Sequence, residues 1–376
     1  MIVSISKKEL FSPLKRVSGL CKSHSSFPIL DSVLIESDGE ALTFTASNLE
    51  SQHSDSLLFS SDPFAMCVPA AKLTAIVGLL ADQEVRLSFE QPAASVQVRA
   101  GSSRHTLNCL PPENFPRFDR SSAAPDERWS VNLEAGALRF ALSWVRAAMA
   151  INESRFFLCG ALLECTEENR LTVVASDGHR LSKASVGAVT SENEGGRQFI
   201  LPRNAVLELL KLVPDDDDCR VQLDFMPNAL AVSWPGFQTI SKSIDGRYPD
   251  WRRVSAMAGS DRVTSFSIDA GSAVSALKRC KLVGDKQAQF RGVSVEIADD
   301  EARFSSSRDG ESAFETVPVG ELLGGITVGF NVDYLIDAIA CIGGTVAVSL
   351  SENKGIFEAS SDAGGDCFHV VMPMRL

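Results

Sequence analysis

Residues 2–20 read IVSISKKELFSPLKRVSGL, and two periods follow one another within them. Val3 and Ile5 alternate with Ser4 and Ser6, the period of a half-buried strand. From Lys7 onward the apolar positions fall at Leu10, Leu14 and Val17, three and four apart, which lines them along one face of a helix. The same succession returns at 129–147 (WSVNLEAGALRFALSWVRA, apolar at Leu138, Leu142 and Val145) and at 264–282 (TSFSIDAGSAVSALKRCKL). The starts lie about 130 residues apart, an internal repeat. A second set of strand-then-helix segments sits roughly 65–70 residues further into each repeat, at 65–80, 198–212 and 326–342. A hairpin-like stretch follows each, at 85–99, 220–233 and 346–359.

The repeat predicts three similar domains, 1–122, 128–255 and 262–376, each made of two strand–helix–strands halves. The candidate linkers, 121–127 and 255–261, break the periodicity between repeats. One helix serves several strands in every half, so the expected fold class is α+β with the helices on one face of the sheets. Repetition alone fits equally well a duplicated β-rich scaffold with no special partner.

Apolar residues make up 44% of the chain, enough for sizeable cores. No run approaches the ~18 consecutive apolar residues of a membrane helix, and the N-terminus lacks the basic-then-apolar order of a signal peptide. A soluble, cytoplasmic protein is expected. The nine cysteines, at 21, 67, 109, 159, 165, 219, 280, 341 and 367, stand singly, with no C-x-x-C spacing. They read as reduced thiols, mostly in apolar runs, and no metal or cofactor is expected. No phosphate-loop, dinucleotide or H-E-x-x-H pattern is present, so the expectation is a protein that catalyses nothing. The four acids at 215–218 lack the glycine turn and distant Glu of a calcium loop and read as a solvated loop.

The net charge of −12 argues, as a sum, against nucleic acid. Sorted by element it reads differently. The six helical segments, 7–22, 70–81, 134–150, 203–213, 270–284 and 331–340, carry +8 between them and leave −20 for the rest. If the helices share a surface, that surface is basic inside an acidic protein. It suits a phosphate backbone, contacted by charge and without regard to sequence. Lys72, Arg146, Lys278, Arg279 and Lys281 are candidate contacts on it. The competing reading is that Lys and Arg are simply good helix formers. Glu is equally good there, and it is scarce.

The end of the chain is apolar: Val370, Val371, Met372, Pro373, Met374, Arg375, Leu376. Termini fray unless something ties them down, so this one is expected to be buried or to await a ligand. The alternation at 366–370 reads as a last strand that anchors it.

Several motifs recur in one order along the whole chain. They are FPIL at 27–30, LP at 110–111 with FP at 115–116, ASDGHRL at 175–181, DGRYPDWRRV at 245–254, FRGV at 290–293, GFNV at 329–332 and VMPMRL at 371–376. With them the chain resembles a divergent member of the bacterial beta sliding clamp family, the DNA polymerase III beta subunit. That resemblance implies three similar clamp domains per chain and two chains joined head to tail in a six-domain ring. Helices would line the hole around double-stranded DNA, with sheets forming the outer wall. The family is a non-catalytic processivity factor counted within the DNA-directed DNA polymerase holoenzyme. Its partners are the replicative polymerase, the clamp loader and other proteins with a clamp-binding motif.

The resemblance places the partner-peptide cleft on Leu158, Ser176, Gly178, His179, Arg180, Leu181, Pro249, Arg253, Val254 and the seven residues from Val370 to the end. Leu181, Pro249 and Val254 would supply a wall facing the terminal segment, and Arg180 or Arg253 a polar rim. It adds His24, Asn152, Phe156, Phe157 and Arg203 to the DNA contacts. It sets Arg104, His105 and Leu107 against Leu282 and Val283 across a subunit interface, with Glu311 and Glu315 as charge partners. Three departures weaken the DNA contacts: His24 where the family carries Arg, Phe156-Phe157 for Tyr-Tyr, and Ala71-Lys72 for a basic pair. They leave open a specialised accessory clamp, or a clamp-like partner-binding protein.

Overall fold

The computed structural model describes residues 2–21, 27–81, 83–90, 94–118, 128–166, 169–190, 198–216, 218–256, 264–283, 292–359 and 367–376. The first third of the chain runs β1 (Ile2–Ser6), α1 (Lys7–Ser18), β2 (Ser32–Ser37), β3 (Ala41–Ser47), β4 (Ser51–Leu58), β5 (Phe64–Pro69), α2 (Ala70–Leu79), β6 (Glu84–Glu90), β7 (Ser95–Ala100) and β8 (Ser103–Asn108). The second repeats it as β9 (Trp129–Glu134), α3 (Ala135–Val145), β10 (Gly160–Thr166), β11 (Arg170–Ser176), β12 (Arg180–Gly187), β13 (Gln198–Pro202), α4 (Arg203–Leu212), β14 (Arg220–Met226), β15 (Ala229–Trp234) and β16 (Phe237–Lys242). The last runs β17 (Thr264–Asp269), α5 (Ala270–Val283), β18 (Gly292–Ala298), β19 (Glu301–Arg308), β20 (Glu311–Leu323), β21 (Ile326–Asn331), α6 (Val332–Ile342), β22 (Thr345–Leu350), β23 (Gly355–Ala359) and β24 (Phe368–Val371). Three α+β domains result, built from one unit of strand, helix and three strands used six times. The linker at 121–127, and all but the first two residues of the one at 255–261, lie outside the described residues.

Each helix starts where its leading strand ends, and the sequence supplies the stop. Ser6 accepts a hydrogen bond on Oγ from the Glu9 N–H (3.2 Å), and the Glu9 carboxylate accepts from the Ser6 N–H (3.3 Å). This reciprocal cap satisfies two otherwise orphaned donors. Asp269 and Asn331 cap their helices through the N–H groups of Ser272 (2.7 Å) and Asp333 (2.9 Å). Pro69 and Pro202 close β5 and β13 without a side-chain cap. The α1 face that the spacing selects, Leu10, Leu14 and Val17, is fully buried.

The halves of each domain exchange their leading strands. β1 pairs with β6 and β5 with β2; β9 pairs with β14 and β13 with β10; β17 pairs with β22 and β21 with β18. All these pairings are antiparallel. The half-sheets then join end to end. β16 pairs with β4 through Phe237↔Asp55 and Thr239↔His53, within a nine-stranded sheet that Val189–Thr190 extends beyond β9. β12 pairs with β24 through Leu181↔Val370 and Ser182↔His369, within a twelve-stranded sheet. A four-stranded sheet, β1-β6-β7-β8, completes the set.

The chain divides into two compact units, one drawn mainly from residues 1–135 and 216–243, the other mainly from 136–189, 193–215 and 244–376. The second contains one apolar core around Phe266, Leu277, Phe330, Leu335 and Phe357, and a separate cluster around Leu158, Leu181, Trp251 and Val370. Cys67, Cys109, Cys165 and Cys280 are buried, and burial pushes the Cys67 and Cys165 thiols up to about 12. Among the described residues no helix is long and apolar enough to cross a membrane.

Candidate partner cleft and nucleic-acid surface

The cleft residues converge within the second compact unit. β24 lies beside β12, so its side chains alternate between two environments. Val370 joins Leu158, Leu181 and Trp251 in one apolar cluster, with Phe157 and Val254 packed against it. Val371 turns to the core of the third domain. The short helical turn Arg252–Ala256 carries Arg253 and Val254, and a buried carboxylate pins it down. Glu164 accepts from Trp251 Nε1 (3.2 Å), Arg252 Nη2 (2.9 Å) and Gln198 Nε2 (3.0 Å). Burial alone pushes this carboxyl up; the bonds from Gln198, Arg252 and Trp251 outweigh it and hold the group below its usual range. Pro249 and Arg253 remain exposed at the margin.

The turn between β11 and β12 is more than a plain hairpin. The Asp177 carboxylate accepts from the N–H groups of His179 and Arg180 and from Arg180 Nε (2.9 Å). Ser176 Oγ donates to the Arg180 carbonyl (2.8 Å). Gly178 sits at φ +89°, where a side chain would strain the backbone and strike Arg155. Arg180, expected on the rim, reaches across to α6: its guanidinium pairs with Asp337 (2.6 Å) and lies 4.2 Å from the Tyr334 ring centre. On the same sheet face His369 is buried, stacked on Trp144 at 4.6 Å and bonded to Ser182 Oγ (2.7 Å). Burial, then the Arg180 charge, lower its pKa to about 3, so the ring is neutral.

Beyond β24 the terminal segment is tied down. The Met372 N–H donates to the His179 carbonyl (2.9 Å) and the Met374 N–H to the Gly329 carbonyl (2.8 Å). Leu376 rests on Gly292 and Gly329, neighbours in β18 and β21, where any side chain would collide with it. Met372 stays 44% exposed and Leu376 69% exposed. Sequence reading missed Tyr334, Asp337, Tyr248 and Trp251. A signal existed for the tyrosines: the chain has only two, and both are here.

The nucleic-acid candidates are less uniform. His24 lies outside the described residues. Lys72, Arg146, Asn152 and Lys278 are exposed on α2, at the end of α3, on the loop after it and on α5. Phe156 is 56% exposed, whereas Phe157 turns toward the cleft cluster. Arg203 donates to the carbonyls of Arg146 and Met149 (3.3 and 3.0 Å). Arg279 forms a two-pronged pair with Glu315, both bonds 2.7 Å, and these hydrogen bonds, helped by its charge, hold the Glu315 carboxyl low. Lys281 pairs with Asp333. Two of the three α5 cations thus have an internal acid.

Two of the open strand edges among the described residues lie on β8 and on the first part of β20. β8 pairs only with β7. It exposes Arg104, His105 and Thr106 and buries Leu107 to 8% within its own domain. β20 pairs with β19 over residues 311–318 and with β17 only from Val319 onward, so its first part is open on one side. Glu311 and Phe314 are exposed there, Phe314 to 66%; Leu282, at 74%, ends α5, and Val283 is half-buried. Glu315, expected across the interface, is engaged by Arg279 of its own chain.

Among the described residues no three His, Cys, Asp or Glu side chains gather as for a metal ion. What the fold and site define is a non-enzymatic type of scaffold, one unit repeated six times, with a buried apolar cluster whose margin at Pro249 and Arg253 is exposed. The chain belongs to the DNA polymerase III beta subunit family: residues 1–119 match its N-terminal domain, 132–250 its central domain and 260–375 its C-terminal domain. It is a non-catalytic subunit. The beta sliding clamp of Haemophilus influenzae is 32% identical, and that of Pseudomonas putida 29%, each over the full length of both chains. The crystal structure of the DNA polymerase sliding clamp from Pseudomonas aeruginosa, 29% identical, superposes with a TM-score of 0.90 over all of both chains.

Proposed function

We propose that this chain works in the cytoplasm as a DNA sliding clamp. Two copies close head to tail around duplex DNA and tether the replicative polymerase, the clamp loader and other partners. One observation carries the ring. In each join the last strand of one domain's first half pairs with the last strand of the next domain's second half: β4 with β16, β12 with β24. Continuing that rule, β20 of the third domain needs a β8, and both edges are open. An unpaired edge invites another chain, and the same heterologous contact made twice closes a dimer. Arg104 and His105 then face Glu311, with Phe314 and Leu282 as apolar anchors. The domain limits of this reading are 1–122, 128–255 and 262–376.

The proposed cleft takes a short peptide against Val254 and Met372, over a floor of the buried Leu158, Leu181 and Val370; apolar side chains carry most of the energy of such interfaces. Ser176, Gly178 and His179 form its turn, and Pro249, Arg253, Pro373, Met374 and Arg375 its margin. Light scattering tests the ring: the unmodified chain is expected as a dimer, and Phe314→Asp as a folded monomer. A stable unmodified monomer sinks the reading. A weaker-gripping accessory clamp has one observation in its favour, the internal pairing of Arg279 and Lys281, which spends two cations of the proposed DNA surface.

A further inference from the structure

On the four-stranded sheet three arginines stand in one rung. Arg86 lies opposite Arg99 and Arg99 opposite Arg104, in register across β6, β7 and β8. Direct partners share a face, and all three are exposed. The other face holds the buried Val85, Leu87, Val96 and Val98, and α1 packs against β6. Like charges directly opposite one another destabilise a sheet, and here two such pairs are consecutive in a chain of net charge −12. Among the described residues local relief is slight. Arg86 Nη2 is 3.5 Å from an exposed Glu84 oxygen, and Arg99 Nη2 donates to the neutral Gln97 Oε1 at 2.7 Å.

We propose that this arginine rung is a docking surface for an acidic polypeptide segment of a partner protein. Strands about 4.8 Å apart spread three guanidinium groups over roughly 10 Å. Carboxylates on alternate residues of an extended segment, or four apart on a helix, match that spacing. The Arg86 and Arg99 forks then each take a carboxylate with two parallel bonds, while Arg104, at the edge that faces Glu311 in the closed ring, adds positive charge. The next rung, Ser88, Gln97 and Thr106, offers hydrogen bonds without charge. Single-stranded nucleic acid, the other polyanion, is bound by stacking bases on aromatic side chains; among the described residues this face has none. The rung shares no residue with the proposed peptide cleft. Arg86 and Arg99 also lie two strands and one strand in from the β8 edge, so pairing of that edge leaves them uncovered.

The test is fluorescence anisotropy on the full chain with an end-labelled octaglutamate peptide. The double variant Arg86→Gln/Arg99→Gln keeps Arg104 and the edge intact, and light scattering and circular dichroism check its assembly and fold. Binding to the unmodified chain is expected to weaken with salt and to fall about ten-fold or more in the variant. The variant's own unfolding midpoint is expected to stay level or rise, since repulsion is removed. No binding, equal binding by the variant, or tighter binding of an oligothymidylate of equal charge each overturns the proposal.

Discussion

Asp55 is a carboxylate that its own fold works against. It is 1% exposed on β4, opposite Phe237 at the join between β4 and β16. Arg16 Nε lies 2.6 Å from Oδ2, an ionic contact rather than an aligned hydrogen bond. Burial outweighs that attraction and raises the pKa to about 6. Between the unfolded value near 3.8 and about 6 the folded chain therefore binds more protons than the unfolded one. Stability from this group rises as pH falls through 6 and is smallest above it. Asp55→Asn removes the cost and leaves Arg16, 42% exposed, in contact with water. The variant is expected to be about 1–2 kcal/mol more stable at pH 7.5, with the gain shrinking toward pH 5. Denaturant unfolding at the two pH values measures this. An equal loss of stability at both shows the ion pair to be the stronger effect.

Among the elements, the terminal strand with its tail connects packing to function most directly. Val370 and Val371 hold β24 in two cores, while Met372, Met374 and Leu376 lie past the last paired residue, fastened by two backbone bonds and two glycines. Deleting residues 372–376 removes little buried surface but takes away one wall of the proposed cleft. The truncated chain is expected to stay folded and dimeric and to lose most affinity for a labelled polymerase-derived clamp-binding peptide; undiminished affinity would falsify the cleft. The periods of strand and helix, and the apolar end, were legible in the sequence because they depend on neighbours a few residues away. The exchange of leading strands was not. A period of two tells which face a residue takes, never which strand lies beside it. Nor were Arg180–Asp337 and Arg279–Glu315, whose partners lie 157 and 36 residues apart. Leu107, which the resemblance sets at an interface, shares a face with the buried Val96 and is 8% exposed in the single chain.

For the whole molecule, the sorting of charge sets how a clamp holds DNA. Lys72, Arg146 and Lys278 are exposed, while Arg203, Arg279 and Lys281 have internal partners. Few strong phosphate contacts mean weak affinity for open DNA, with a shallow salt dependence. Retention must then come from closure of the ring. The most direct test loads the chain onto nicked circular duplex with a cognate clamp loader, raises the salt, and cuts half the sample once with a restriction enzyme before gel filtration. The account predicts that the protein stays with the intact circle through the salt step and leaves within minutes of linearisation. Equal retention on circle and cut duplex, or loss from both as salt rises, would contradict it.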